Sequence, residues 1–370
     1  MRDSLYIHIP FCKKKCPYCD FYSIPPQKKL VSEYISIISQ EISKLNTCFD
    51  TVYIGGGTPT VIDIHLWGIL LESLKKILKS SYENTVEANP ESLSKEKLKL
   101  FLKYNINRIS IGLQSLNDLK LKYLGRIHDR RRGIKAVWDA KESGFFNINI
   151  DLIYGYFNES LKEWKKELNE AIKLPITHIS CYALGYESYT PFYKFKSKVD
   201  EKEVAEMYLF NMNFLPKNGY MQYETSNFSL EGFKCTHNLR YWQGASYIGI
   251  GASAVSYIKG IRKKNISDVK EYIKRIALGE SHVESKERLT REKQAKELAA
   301  LKIRTTEGIC FDWFKETTGF DFFNIEDRTV IESLKAKGLV RISVGKNGFE
   351  RIFLTKKGYL FCDEVSSSLV

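Results

Sequence analysis

No stretch of this 370-residue chain approaches the length of apolar run, about 18 residues, that a membrane-spanning helix needs. The opening residues, MRDSLYIHIPFC, lack a long apolar segment ending in small residues, so they do not read as a secretion signal. Internal repeats and low-complexity tracts are absent too. With 43% hydrophobic and 27% charged residues, the composition excludes a disordered tail or a fibre. A cytoplasmic protein is expected, one that touches membranes only transiently. Arginine is sparse: 15 of 57 basic residues, the other 42 being lysine. The net charge of +13 therefore reads as a general solvated surface rather than a polyanion-binding face, and no nucleic-acid partner is expected.

Eight cysteines are present, at 12, 16, 19, 48, 181, 235, 310 and 362. Nothing suggests a small secreted fold, so a disulfide framework is not expected. Five are scattered and read as buried thiols. Three fall within eight residues, Cys12-Lys-Lys-Lys-Cys16-Pro-Tyr-Cys19.

The first 180 residues or so alternate short apolar strands with amphipathic helices. Strands are expected at 5–9, 51–54, 84–88, 108–111, 147–153 and 177–183, and helices at 30–45, 65–79, 95–103, 131–143 and 161–173. Such alternation requires a parallel sheet with right-handed crossovers. Six units point to an incomplete (β/α)6 barrel of the α/β class over 1–183, with polar residues gathered at the C-terminal ends of the strands. A barrel extension is expected over 184–261, with a helix at 200–216. A charged helical connector follows at 262–308, where 13 basic and 7 acidic residues lie between Arg262 and Arg304. The last part, 309–370, reads as two helices and a hairpin turning at 345–348, a small α+β winged-helix-like module.

Three thiolates on one loop suit soft metals: zinc, copper(I) or an iron–sulfur cluster. A structural zinc site is normally closed by four ligands, and no fourth cysteine is near. Three cysteines on a [4Fe-4S] cube leave one iron open to a small molecule. Zinc and incidental core cysteines remain as alternatives on the residues alone.

C-x3-C-x2-C after the first strand resembles the signature of radical S-adenosyl-L-methionine (SAM) proteins. The flanking Tyr6-Ile-His-Ile-Pro-Phe-Cys12 and Tyr18-Cys19-Asp20-Phe21 resemble the oxygen-independent coproporphyrinogen III oxidase group, and within it the HemW-type heme chaperones. The resemblance covers nearly the whole chain. It implies a [4Fe-4S] cluster on Cys12, Cys16 and Cys19, whose open iron binds SAM. One electron then cleaves the sulfonium to methionine and a 5′-deoxyadenosyl radical. Gly55-Gly56-Gly57-Thr58-Pro59-Thr60 ends strand two, where exposed backbone N–H and C=O groups could hold the amino-acid part of SAM. Glu87 ends strand three, Gln114 follows strand four, Arg126 comes twelve residues later and Asp151 sits on strand five. The Glu87 carboxylate could accept from ribose hydroxyls or an ammonium. By resemblance Gln114, Arg126 and Asp151, with Tyr6 and Ala183, match SAM-contacting positions; on physics alone Asp151 is the strongest of the three, since a carboxylate in an apolar strand is costly without a partner.

A second constellation, His237-Asn-Leu-Arg240-Tyr241-Trp242, resembles a hallmark of the HemW-type branch. It implies heme as cargo, with imidazole as a possible iron ligand, Arg240 opposite a propionate and the aromatics against the porphyrin. A hydrogen-bonded structural histidine is the competing reading. Heme-acceptor proteins, respiratory ones, and an electron donor are the implied partners. The sequence also departs from the oxidases. Phe21 stands where they carry a fourth cysteine, and their N-terminal extension has no counterpart before Tyr6. It departs from both branches at Tyr156-Phe157-Asn158-Glu159-Ser160, and its Gly251-Ala-Ser-Ala254-Val255-Ser loop is nearer the oxidase type. A heme chaperone is thus the first expectation. An oxygen-independent coproporphyrinogen III oxidase forming protoporphyrinogen IX is the second, and a zinc-stabilised nucleic-acid-binding module the third.

Overall fold

The computed structural model describes residues 3–344 and 348–370. Six parallel strands run in sequence order: β1 (Asp3–Ile9), β2 (Phe49–Gly56), β3 (Glu83–Ala88), β4 (Arg108–Gln114), β5 (Asn147–Tyr154) and β6 (His178–Ala183). In β1 the odd residues Leu5, Ile7 and Ile9 are fully buried beneath the helices, while Ser4, Tyr6 and His8 take the opposite face. Between the strands lie α1 (Lys28–Ser43), α2 (Ile64–Leu74), α3 (Lys95–Lys103), α4 (Asp118–Tyr123), α5 (Arg130–Ser143) and α6 (Leu161–Ala171). Local signals set their ends. Asp129 caps α5, accepting from Arg132 N, and Gly144 ends it in the left-handed region at φ +112°. Ser160 and Glu163 form a reciprocal capping box on α6.

The expected strands and helices agree with this, and the sheet does not close. After α7 (Glu201–Lys217), β7 (Met221–Gln222) and β8 (Asn227–Ser229) add antiparallel strands beyond β6. After α8 (Thr236–Trp242), β9 (Tyr247–Ile250) pairs parallel with β1 on the other side. The sheet then runs on through β10 (Val255–Ile258), β11 (Ile261–Asn265) and β12 (Val283–Arg288), giving twelve strands in one open mixed sheet.

Two features differ from the sequence reading. The segment 262–308 is not purely helical: only α9 (Val269–Ala277) and α10 (Arg291–Lys302) are helices, and most of β11 and all of β12 lie within it. Their charged side chains are mostly half-buried on β11 and exposed on β12, which is the edge of the sheet, where Lys and Glu also blunt further pairing. The six-residue α4 was not expected. It is anchored by Lys120, buried between Glu159 at 2.5 Å and Glu167 at 2.9 Å, two carboxylates brought from distant parts of the chain.

The C-terminal part is a small α+β unit: β13 (Ile309–Cys310), α11 (Phe311–Thr318), α12 (Phe322–Ile325), α13 (Arg328–Ala336), β14 (Val340–Val344) and β15 (Glu350–Leu354). Its three strands form one antiparallel sheet in the order β13-β15-β14, and α14 (Lys356–Leu360) and α15 (Cys362–Ser367) follow. The winged-helix-like pattern is present, although residues 345–347 of the expected turn lie outside the described residues. Among the described residues no helix is long and apolar enough to cross a membrane.

Candidate functional site

The C-terminal ends of the six parallel strands surround a cavity of about 410 Å³. Cys12, Cys16 and Cys19 form one side of it. Their loop leaves β1 through Pro10 and Phe11 and is pinned by Cys12 N to Ile24 O at 3.0 Å and Ile24 N to Pro10 O at 2.9 Å. Pro17 packs so closely that a Cβ on Gly125 would stand 2.7 Å from its Cδ. Burial raises the Cys12 thiol, against a hydrogen bond with Thr58 at 3.2 Å that lowers it. Burial pushes Cys19 up to about 11, against a backbone hydrogen bond at Phe21. Among the described residues no group of three His, Cys, Asp or Glu side chains is gathered so as to hold a single metal ion.

The glycine loop after β2 is stitched to the cysteine loop. Gly57 N donates to Ile9 O at 2.9 Å and Thr58 N to Phe11 O at 2.8 Å. Space is short on both sides. A Cβ on Gly57 would meet the Phe11 carbonyl oxygen at 2.8 Å, and Gly56, at φ +113°, has the His8 ring 2.7 Å from where its Cβ would be. Gly56 N donates to Glu87 Oε2 at 3.0 Å. The N–H groups of Gly56, Gly57 and Thr58 are therefore committed within the protein, a correction to the expectation that they meet the ligand. The carbonyls of Thr58, Pro59 and Thr60 are taken too, by Val61 N, Ile62 N and Lys97 Nζ, so the glycine carbonyls are what the loop can offer.

Glu87, at the end of β3, also accepts from Tyr53 Oη at 2.8 Å. Burial pushes it up to about 7, with the Tyr53 bond opposing and the Asp151 charge adding. Asp151 accepts from Asn149 Nδ2 at 2.8 Å and Ser110 Oγ at 3.3 Å, and burial raises it too. Gln114 ends β4 in the left-handed region, φ +62°, a conformation a non-glycine residue adopts at a cost of about 1–2 kcal/mol. Arg126 donates to Gly112 O at 3.0 Å, to Asn89 Oδ1 at 2.8 Å and to Cys16 Sγ at 3.7 Å, while its buried Nε has no partner among the described residues.

Gly56, Gly57, Thr58, Glu87, Gln114, Arg126, Asp151 and Ala183 all line the same cavity as the three cysteines. Tyr6 does not: its hydroxyl bonds His8 Nδ1 at 3.0 Å, deeper between the strands, beside Tyr53. Sequence reasoning missed Tyr53, Asn89 and Ser110, which line the cavity as well. For Asn89 there was a signal: it stands at the C-terminal end of a strand, two residues past Glu87.

The second constellation lies at the opposite end of the strands. His237 is 1% exposed, with Nδ1 bonded to Thr51 Oγ1 at 2.8 Å and Nε2 to Tyr241 Oη at 3.0 Å. Glu83 caps α8 by accepting from Thr236 N and His237 N at 2.8 and 2.9 Å. Arg240 is paired with Asp50 at 3.2 Å. Both nitrogens of His237 are thus engaged, and burial, with the charges of Arg108 and Arg240, pushes it down to about 3. The expectation of an iron-ligating imidazole is corrected: coordination would cost a hydrogen bond in a site sealed from solvent. Likewise Arg240 already has a carboxylate inside the protein. Tyr241 and Trp242 do face a cavity, of about 610 Å³, between α8, β9 and α10.

The fit to an iron–sulfur cluster and SAM follows from the donor set: three soft thiols around one cavity, an unpartnered guanidinium nitrogen, a glycine turn beside them and two carboxylates on neighbouring walls.

Comparison with known proteins places this arrangement. Residues 6–171 match the Radical SAM superfamily and 289–361 the HemN C-terminal domain. The chain is 36% identical over 377 residues to the heme chaperone HemW of Bacillus subtilis, covering 98% of this chain and 97% of the relative. It is 36% identical to heme chaperone HemW of Lactococcus lactis, covering 96% and 94%, and 36% identical to that of Escherichia coli over 68% and 69%. The structure of coproporphyrinogen III oxidase (HemN) from Escherichia coli superposes with a TM-score of 0.84 over 100% of this chain and 90% of that one; at 20% identity this speaks for the fold. The cysteine loop, the unclosed parallel sheet and the full-length relatives agree, and the chain belongs to the HemW family of radical SAM proteins.

Proposed function

We propose that this chain is a heme chaperone: it holds a [4Fe-4S] cluster on Cys12, Cys16 and Cys19, binds SAM beside it, carries heme and passes it to acceptor proteins, respiratory ones among them. The observation that carries the reading is the convergence of the three cysteines and eight SAM-matched residues on one cavity. When bound, the cluster supplies one-electron reduction of the sulfonium, with the electron delivered by a separate donor protein.

The residues divide the nucleotide between them. Arg126 Nε meets the carboxylate, and the carbonyls of the glycine loop accept from the ammonium. Glu87 and Asp151 accept from ribose hydroxyls, and Gln114 reads the adenine.

For the cargo, Tyr241 and Trp242 with Tyr247 and Tyr257 line the larger cavity under the sheet, whose aromatic walls suit a tetrapyrrole face. We place the chain in the cytoplasm, touching membranes transiently when it delivers heme. The regions 1–183, 184–261 and 309–370 act in this reading as SAM barrel, extension and C-terminal module.

Anaerobic reconstitution tests it. Four irons per chain, heme uptake by absorbance titration and no conversion of coproporphyrinogen III with SAM and reductant are the expected results. Turnover to protoporphyrinogen IX would replace the chaperone with the oxidase, and a colourless zinc protein would discard both. Trp242→Leu should weaken heme uptake while leaving iron content unchanged.

A further inference from the structure

A relay of side chains joins two of the three cysteines. Thr58 Oγ1 lies 3.2 Å from Cys12 Sγ. Asn89 Nδ2 donates to that same Oγ1 at 2.8 Å. Arg126 Nη2 donates to Asn89 Oδ1 at 2.8 Å, and Arg126 Nη1 reaches Cys16 Sγ at 3.7 Å.

The proton directions follow from chemistry. A guanidinium only donates, so the Asn89 atom facing it is oxygen and the amide nitrogen is turned to Thr58. Thr58 Oγ1 accepts from that nitrogen, which leaves its own hydrogen for the Cys12 sulfur. A metal-bound thiolate only accepts, so both ends of the relay deliver N–H or O–H to sulfur. Such bonds stabilise the more negative, reduced state of a cluster.

We propose that Asn89 is a positioning residue that sets the reduction potential of the cluster, by locking the Thr58 hydroxyl onto Cys12 Sγ while Arg126 holds the amide in place. The proposal rests on the cluster reading above. It assigns no contact with SAM to Asn89.

The test is a redox titration of the anaerobically reconstituted full chain with dithionite, without SAM, followed by electron paramagnetic resonance. Iron content is measured first. Thr58→Val and Asn89→Leu should make the cluster harder to reduce by about tenfold in the reduction equilibrium, about 59 mV for one electron. Thr58→Ser keeps the hydroxyl and should match the parent. The double variant should shift no further than Thr58→Val alone, because the amide acts through the hydroxyl. Unchanged potentials in Thr58→Val and Asn89→Leu, or shifts that add in the double variant, would overturn the proposal. So would loss of iron from Thr58→Val but not Thr58→Ser, which would mean that the hydroxyl retains the cluster instead of tuning it. A parent chain that takes up no iron fails earlier, at the iron count, and removes the cluster reading and this proposal with it.

Discussion

The imidazole of His237 lies almost flat against the ring of Tyr53, centroids 5.0 Å apart at 29°. Tyr53 in turn donates to Glu87 in the cofactor cavity. One tyrosine thus connects the sealed floor of the barrel to its reactive mouth.

Replacing His237 by Asn should destabilise the protein by about 2–3 kcal/mol near neutral pH, because Thr51 and Tyr241 lose a buried partner. Chemical denaturation checks the size. Iron content should be unchanged, and heme uptake measured where the variant is folded should equal that of the parent.

The same pair of proteins should diverge with pH. His237 is held near 3 when folded and returns to about 6.5 when unfolded, so acid favours the unfolded chain. Its contribution is complete above about pH 6.5 and is lost towards pH 3. The stability gap between parent and His237→Asn should therefore shrink by about 1.4 kcal/mol per pH unit below 6.5, closing at about pH 4–5 and inverting below that. A gap independent of pH would show that the imidazole is not buried neutral.

Gln114→Gly should raise stability and lower SAM affinity together. Glycine adopts φ +62° without the strain, a gain of about 1 kcal/mol, while the amide proposed to read the adenine is lost. Thermal unfolding and equilibrium dialysis with SAM separate the two effects.

Glu87 is pushed up to about 7 by burial, so its ionised form grows from pH 6 to 8. If the carboxylate accepts from ribose, SAM affinity should climb by up to tenfold per unit below about pH 7 and level off above it. Glu87→Gln should bind more weakly and show no such climb.

Much of the barrel is legible in the chain because its strands are apolar runs bounded by amphipathic helices of at least nine residues. Strands β11 and β12 are not: the edge strand VESKER is exposed along nearly its whole length and IRKKN buries only Asn265 fully, so neither carries an alternating apolar pattern. The short α4 owes its place to Lys120 and two carboxylates that sequence spacing cannot pair. At the site, Cys12, Glu87 and Asp151 stand out as polar residues at strand ends. Asn89 gains its meaning only from Arg126, 37 positions away. His237 sits in a motif that promises ligation, and only the folded neighbours reveal that both its nitrogens are taken.

The bonds from Gly57 to Ile9 and from Thr58 to Phe11 weld two loops into one wall. A disturbance on either loop is therefore felt on the other, so losing one of these bonds should impair iron retention and nucleotide capture together.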